Sequence, residues 1–224
     1  MVSSELTLEE SFYRSKIGVR PRPNIRWTRD KSTLVVSTVW GSKTVGDEVI
    51  NQTVSLLDAG DSSDDTVVGQ RAPHFHDEVA RLTWLLTKAN QKVVTAYNKD
   101  KFQVIIEMCL VSISPHLLTW IGVGQPSLFM ARNHKVQLLK SALDWVNSPG
   151  HRTPLVYDGL GRLQNVLPAG GQIPLSGGES VFLLSRSEVP QGIWSLKDFQ
   201  HSNVFQRVSE DPEDLPFWLG SIKS

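Results

Sequence analysis

Cysteine occurs once, at Cys109, so the chain can form no internal disulfide and no structural zinc site built mainly on thiolates. An excess of either charge is also missing: 23 Lys and Arg face 23 Asp and Glu, a formal net charge of zero. That balance excludes a globally basic nucleic-acid binder and a highly charged disordered chain. Long apolar runs are absent. The longest, Val104 to Val111, is interrupted by Glu107 and falls far short of the ~20 residues that span a bilayer. The opening MVSSELTLEE carries acids and lacks the apolar centre of a secretory leader. These absences set the expectation of a soluble, cytoplasmic protein with no membrane partner. What is present is an ordinary globular mixture, 40% hydrophobic over 224 residues, enough for a full core.

The segment Arg14 to Lys31 is locally basic, with Arg14, Lys16, Arg20, Arg22, Arg26, Arg29 and Lys31 against Asp30 alone. Pro21 and Pro23 hold part of it extended. TLVVSTV, Thr33 to Val39, is β-branched and apolar and predicts a buried strand. A helix is expected from about Thr44 to Ala59. A second, from about Phe75 to Tyr97, has apolar residues three and four apart at Phe75, Val79, Leu82, Leu86, Ala89, Val93 and Tyr97. Strands follow over 102–113, 117–123, 127–132 and 135–139. Their tight connections, Asn133-His134 among them, predict an antiparallel meander. A Gly/Pro-rich stretch from Ser148 to Gly178 precedes a strand over 180–185 and a weaker helix between Ile193 and Val208. LPFWLGSI, 215–222, reads as a closing edge strand, because Pro216 suits an edge. Segregated helices and antiparallel strands make the class α+β. Residues 1–15 are expected to form an N-terminal arm and residues 16–224 a single domain.

VVSTVWGSKTVGDEV, Val35 to Val49, resembles the first metal-binding segment of the metal-dependent serine/threonine phosphatases of the PPM type, or type 2C. In that family a strand runs into Asp-Gly-x-Gly-Gly-His, two residues, and Gly-Glu. Here Gly46-Asp47 stands at Gly-Glu, Gly41 keeps one motif glycine, and Thr38 stands at the metal-binding aspartate. PRPNIRW puts Asn24 on the asparagine of the family's Arg-x-x-Asn-Glu-Asp, and Arg26 on its aspartate. WIGVGQPSLFMAR fits the Gly-Asp-Ser-Arg frame with Gln125-Pro126 in place of Asp-Ser. LSGGESVFLLSRS fits the later strand, with Arg186 at its aspartate and Ser187 at its glycine. Near the end, EDLPFWLG leaves Asp214 as the residual carboxylate. The resemblance covers about Lys16 to Ile222 and implies a four-layer αββα sandwich.

The resemblance also implies a site for two Mg or Mn ions, which need oxygen ligands, chiefly carboxylates. Arg26, Thr38 and Arg186 supply none, and a guanidinium neither ligates a metal nor deprotonates in proteins. The expectation is a pseudophosphatase, with no metal or other cofactor and no catalytic residue. Its expected partner is another protein, a phosphoprotein or a kinase, in a signalling role; a homodimer through an edge strand or a tryptophan patch is left open. Arg20, Arg22, Arg26 and Arg186 are candidates for anion binding, since Arg20 or Arg22 lies near the family's phosphate-binding arginine. The plainer reading pairs Arg26 and Arg186 with Asp214 or nearby acids. Two rivals are weighed. One is an active phosphoesterase using ligands such as Asp47, Glu48, Asp198, Asp211 and Asp214. The other is a nucleic-acid module using the basic segment, which the net charge disfavours. His74 and His76 read as a solvated helix entry, the acidic loop from Asp58 to Asp65 as solvated, and Cys109 as core. Trp40 and Trp194, beside altered motif positions, are candidates to line the old cleft.

Overall fold

The computed structural model describes residues 6–16, 18–59, 77–142, 158–186 and 188–223. In chain order the elements are β1 (Thr7–Tyr13), β2 (Asn24–Trp27), β3 (Thr33–Gly41), α1 (Lys43–Asp58), α2 (Glu78–Lys92), β4 (Val104–Ser114), β5 (Leu117–Val123), β6 (Ser127–Arg132), β7 (Lys135–Lys140), β8 (Ala169–Pro174), β9 (Ser180–Ser185), α3 (His201–Ser209) and β10 (Phe217–Lys223). A π turn, Val93–Tyr97, continues α2, and a 3-10 turn, Gln191–Ser195, precedes α3. The pairings β1–β10, β10–β9, β2–β3, β3–β4, β4–β5, β6–β7 and β6–β9 are antiparallel. The chain divides into two compact units.

The unit of Asn24–Val123 with Gly159–Ile173 holds a sheet in the order β2-β3-β4-β5-β8. Helices α1 and α2 pack on one of its faces. Val49, Ile50 and Leu57 of α1 and Leu82, Leu85, Leu86 and Ala89 of α2 bury against Val35, Ile106, Met108, Leu110 and Ile121. The alternation of strands puts Val36, Thr38, Cys109 and Val111 on the other face, and these are buried as well. Burial on both faces is why the strands read as continuous apolar runs. The side chain of Asp77 caps α2, accepting from Val79 N at 3.1 Å.

The unit of Met1–Pro23, Gly124–Asp158 and Pro174–Ser224 holds a sheet in the order β1-β10-β9-β6-β7. Ile193, Val204 and Val208 pack on one face against Phe129, Phe182, Leu184, Phe217 and Leu219. Asn133 and His134 both have positive φ, 51° and 60°, the mirror-type turn that closes a two-residue hairpin.

Five expectations change. The meander divides: β4 and β5 pair in one sheet, while β6 and β7 pair in the other. The chain changes sheets at Gly124, whose φ is +65°, and the cis bond between Gln125 and Pro126. Strand β10 is not an edge, because β1 pairs outside it, Tyr13 opposite Phe217 and Thr7 opposite Lys223. Residues Thr7–Tyr13, assigned from sequence to an arm, are therefore a sheet strand. The Gly/Pro-rich stretch contributes β8, and the expected helix over 193–208 is a 3-10 turn followed by α3.

Candidate functional site

The first group of predicted residues lies in the β2–β3 unit. Thr38 is buried in the middle of the sheet, directly opposite Glu107 of β4. Glu107 is 0% exposed. Its Oε2 accepts a 2.7 Å hydrogen bond from Trp40 Nε1, two residues beyond Thr38 on the same face. Sequence reasoning missed this acid; the available signal was a single carboxylate within an apolar strand. Trp40 is half-buried and precedes Gly41, which ends β3 with φ +100°.

Strand register separates two residues that the motif frame groups together. Arg26 is opposite Val35, and Val35 faces α1 and α2. Arg26 and Asn24 therefore share the helix-side face, and Asn24 Nδ2 reaches Asp47 of α1 at 3.3 Å. Ile25, opposite Val36, shares the face of Thr38. Arg26 is exposed and donates from Nη1 to the carbonyl of Ile25 at 2.9 Å. It does not join Thr38, and the residue that does is apolar.

The second group lies in the β9–β10 unit. Arg186 follows directly on β9 and is 1% exposed. Its Nη2 donates to Asp211 Oδ1 at 2.8 Å and lies 3.5 Å from Glu213 Oε2, and Nη1 donates to the carbonyl of Glu188 at 3.0 Å. Gln125, buried at the crossing between sheets, donates from Nε2 to the carbonyl of Arg186 at 2.6 Å. Arg20 is 3% exposed, and its Nη1 approaches Ser185 Oγ at 3.4 Å. The fold thus brings Arg20 and Arg186 to the same end of β9. Arg22 is exposed and pairs with Glu10 of β1 at 3.0 Å.

Asp214 N donates to the Asp211 carbonyl at 3.1 Å, but its carboxylate is turned to another partner. It has φ +47° and accepts from Tyr13 Oη at 2.7 Å. That hydrogen bond, with burial, raises the Tyr13 hydroxyl pKa above its ordinary value. Arg186 therefore pairs with nearby acids, but Asp214 is not among them. Trp194 lies on the 3-10 turn with 45% of its surface exposed. His74, His76, Ser187 and most of the acidic loop lie outside the described residues.

The donors at the positions that the resemblance assigns to metal ligands do not fit a pair of divalent cations. A hydroxyl at Thr38 and guanidiniums at Arg26 and Arg186 replace the carboxylates such ions require. Among the described residues, no three His, Cys, Asp or Glu side chains converge as a metal-binding group. No described helix is long and apolar enough to cross a membrane.

No protein-family model matches the sequence, and no curated protein matches it. Solved structures do. The Mycobacterium tuberculosis serine/threonine phosphatase PstP aligns with a TM-score of 0.65 at 11% identity, over 97% of this chain and 98% of that one. The catalytic domain of a PstP phosphatase in complex with two manganese ions aligns with a TM-score of 0.62 at 13% identity, over 98% and 100%. The PPM Ser-Thr phosphatase MsPP from Mycobacterium smegmatis, in complex with cacodylate, aligns with a TM-score of 0.60 at 12% identity, over 99% of each chain. At full coverage and with the same two-sheet α+β architecture, the chain has the fold of the PPM-type serine/threonine phosphatases.

Proposed function

We propose that this chain is a PPM-type phosphatase-like protein without the reaction, a cytoplasmic pseudophosphatase that acts by binding another protein in a signalling pathway. The observation that carries the reading is Arg186. It stands where the resemblance puts a metal-binding aspartate, and its buried guanidinium is engaged by Asp211. A cation fixed at that position repels a divalent ion as well as failing to ligate it.

The active-enzyme alternative needs carboxylates that converge on one point, and among the described residues no three do. Each candidate already has a partner: Asp47 with Asn24 at 3.3 Å, Glu48 with Lys92 at 3.0 Å, Asp198 with Asn203 at 2.9 Å, Asp211 with Arg186 at 2.8 Å and Asp214 with Tyr13 at 2.7 Å. The nucleic-acid alternative needs exposed, uncommitted cations along one segment. Arg20 is buried and Arg22 is paired with Glu10, which leaves Arg26 and Arg29 exposed in a chain of zero net charge.

The test is calorimetric titration of manganese and magnesium into metal-free protein, with a phosphoester assay on the same sample. The expected result is no specific metal binding and no metal-dependent turnover. Stoichiometric binding accompanied by turnover would overturn the reading.

A further inference from the structure

We propose that Ser11 is an acylatable nucleophile with His201 as its general base, a site for small carboxylic esters built from none of the residues that the phosphatase resemblance assigns. His201 is the first residue of α3 and is 4% exposed. Its Nε2 lies 2.9 Å from Ser11 Oγ of β1, and its Nδ1 lies 2.8 Å from Ser221 Oγ of β10. Both serines stand on the sheet face that packs under α3: Ser11 is opposite Leu219, and Ser221 is opposite Glu9. A neutral imidazole donates from one nitrogen and accepts at the other, so one hydroxyl gives its proton to the ring and the other receives one. Glu9 sets the direction. Its carboxylate, across the strands from Ser221, favours the ring proton on Nδ1, the nitrogen bonded to Ser221, and leaves Nε2 to accept from Ser11.

Nucleophile to base to orienting group is the chain of contacts that activates a serine. Burial lowers the His201 pKa, so the ring is neutral at pH 7 and able to take a proton. The charges facing it from the strands are Glu9 of β1, which favours the imidazolium, and Lys223 of β10, which opposes it. Ser11 is half-buried, and β1 is the last strand of its sheet, with none beyond it among the described residues, so a small electrophile reaches the hydroxyl from solvent. In the step, Ser11 Oγ forms a bond to the acyl carbon while its proton passes to His201 Nε2. The bond from that carbon to the alcohol oxygen breaks, and the departing alkoxide takes the proton. Water then repeats the sequence on the acyl-serine, which releases the carboxylic acid and restores both side chains.

The probe is an alkyl fluorophosphonate, which bonds through phosphorus to an activated serine and releases fluoride, applied to the full chain with mass spectrometry of the labelled peptides. The expected result is one label, on Ser11, and none on the urea-unfolded chain. The labelling rate should rise through a midpoint below 6.5, the ordinary histidine value, and level off above it; an unaided hydroxyl would gain about tenfold per pH unit throughout. His201→Gln should slow labelling about a hundredfold. Glu9→Gln, at an exposed position, should move the midpoint to lower pH, because it removes the charge that favours the imidazolium. That shift and the pH profile of the unaltered protein decide the matter even if His201→Gln fails to fold. Hydrolysis of p-nitrophenyl acetate should stop once Ser11 is labelled. No label on the folded protein, or a label on another serine, overturns the proposal. So does a rate that climbs without levelling or a midpoint that Glu9→Gln leaves in place, either of which makes His201 a packing residue, and so does ester hydrolysis that persists after labelling. None of these measurements involves a metal or a phosphoester, so this site and the loss of phosphatase chemistry stand or fall separately.

Discussion

Replacing Arg186 by methionine removes a buried charge while keeping much of the side-chain volume. In the intact protein the guanidinium binds Asp211, approaches Glu213 and bonds the Glu188 carbonyl. Removing one partner of a buried pair costs about 3–5 kcal/mol, because the other charge is left uncompensated. Two features lower that figure here. Asp211 keeps 19% of its side chain exposed, so water can replace part of what is lost. Arg186 Nε has no acceptor among the described residues, a defect that the methionine removes and that is itself worth about 1–3 kcal/mol. The expected loss is about 2 kcal/mol. At a urea dependence of about 2–3 kcal/mol per molar, the midpoint falls by roughly 0.7–1 M. Asp211→Asn should give a coupling with Arg186→Met of about 1 kcal/mol or more in a double-mutant cycle. Arg186→Met with Asp211→Leu, which removes both charges, should recover most of the loss. A single variant whose midpoint moves by less than about 0.2 M, with no coupling to Asp211, would refute the assignment of Arg186 as a structural cation.

Two further outcomes follow from the packing. His201 is buried, with Nδ1 2.8 Å from Ser221 Oγ of β10 and Nε2 2.9 Å from Ser11 Oγ of β1. Burial lowers its pKa below the ordinary 6.5; the charge of Glu9 opposes the shift and that of Lys223 reinforces it. A base whose folded pKa is depressed contributes stability that is complete above 6.5 and lost as the pH falls below it. The urea midpoint should therefore fall between pH 7.5 and 5.5, and His201→Gln should flatten that dependence; an unchanged slope would remove His201 as its source. Gly161 has φ +88°, and a Cβ there would collide with Val93 Cγ1 and lie 2.7 Å from Asn98 Nδ2. Gly161→Ala should cost about 2–4 kcal/mol by urea denaturation, and a loss below about 0.5 kcal/mol would contradict the described close approach.

The strands from β3 to β6 were legible because each is a local apolar run bounded by turn residues. Strand β8 was not. It begins Ala-Gly-Gly, a poor strand sequence, and exists because the backbone lies close on β5: a Cβ at Gly170 would stand 2.6 Å from the carbonyl of Trp120. Nor was the division of the meander legible, since the pairing of β6 with β9 across some fifty residues leaves no local trace. Strand β1 reads as polar because Glu9 and Glu10 are half of its centre, yet the ring of Tyr13 stacks on Phe217 with centroids 5.2 Å apart. At the candidate site, residue types were readable and their faces were not. One position of register separates Arg26 from Thr38, and a cross-strand partner supplies Glu107.

The pairing of β1 with β10 has a consequence for synthesis. Tyr13 is joined to Asp214 and Glu10 to Trp218, contacts that span 201 and 208 positions of sequence. Strand β1 leaves the ribosome some 201 residues ahead of the strand that completes it. At about 5–20 residues per second, β1 waits roughly 10–40 s for its partner. During that interval its unpaired edge is exposed to any other nascent strand. Its two glutamates, which make it a poor strand by sequence, are the residues that keep it soluble while it waits.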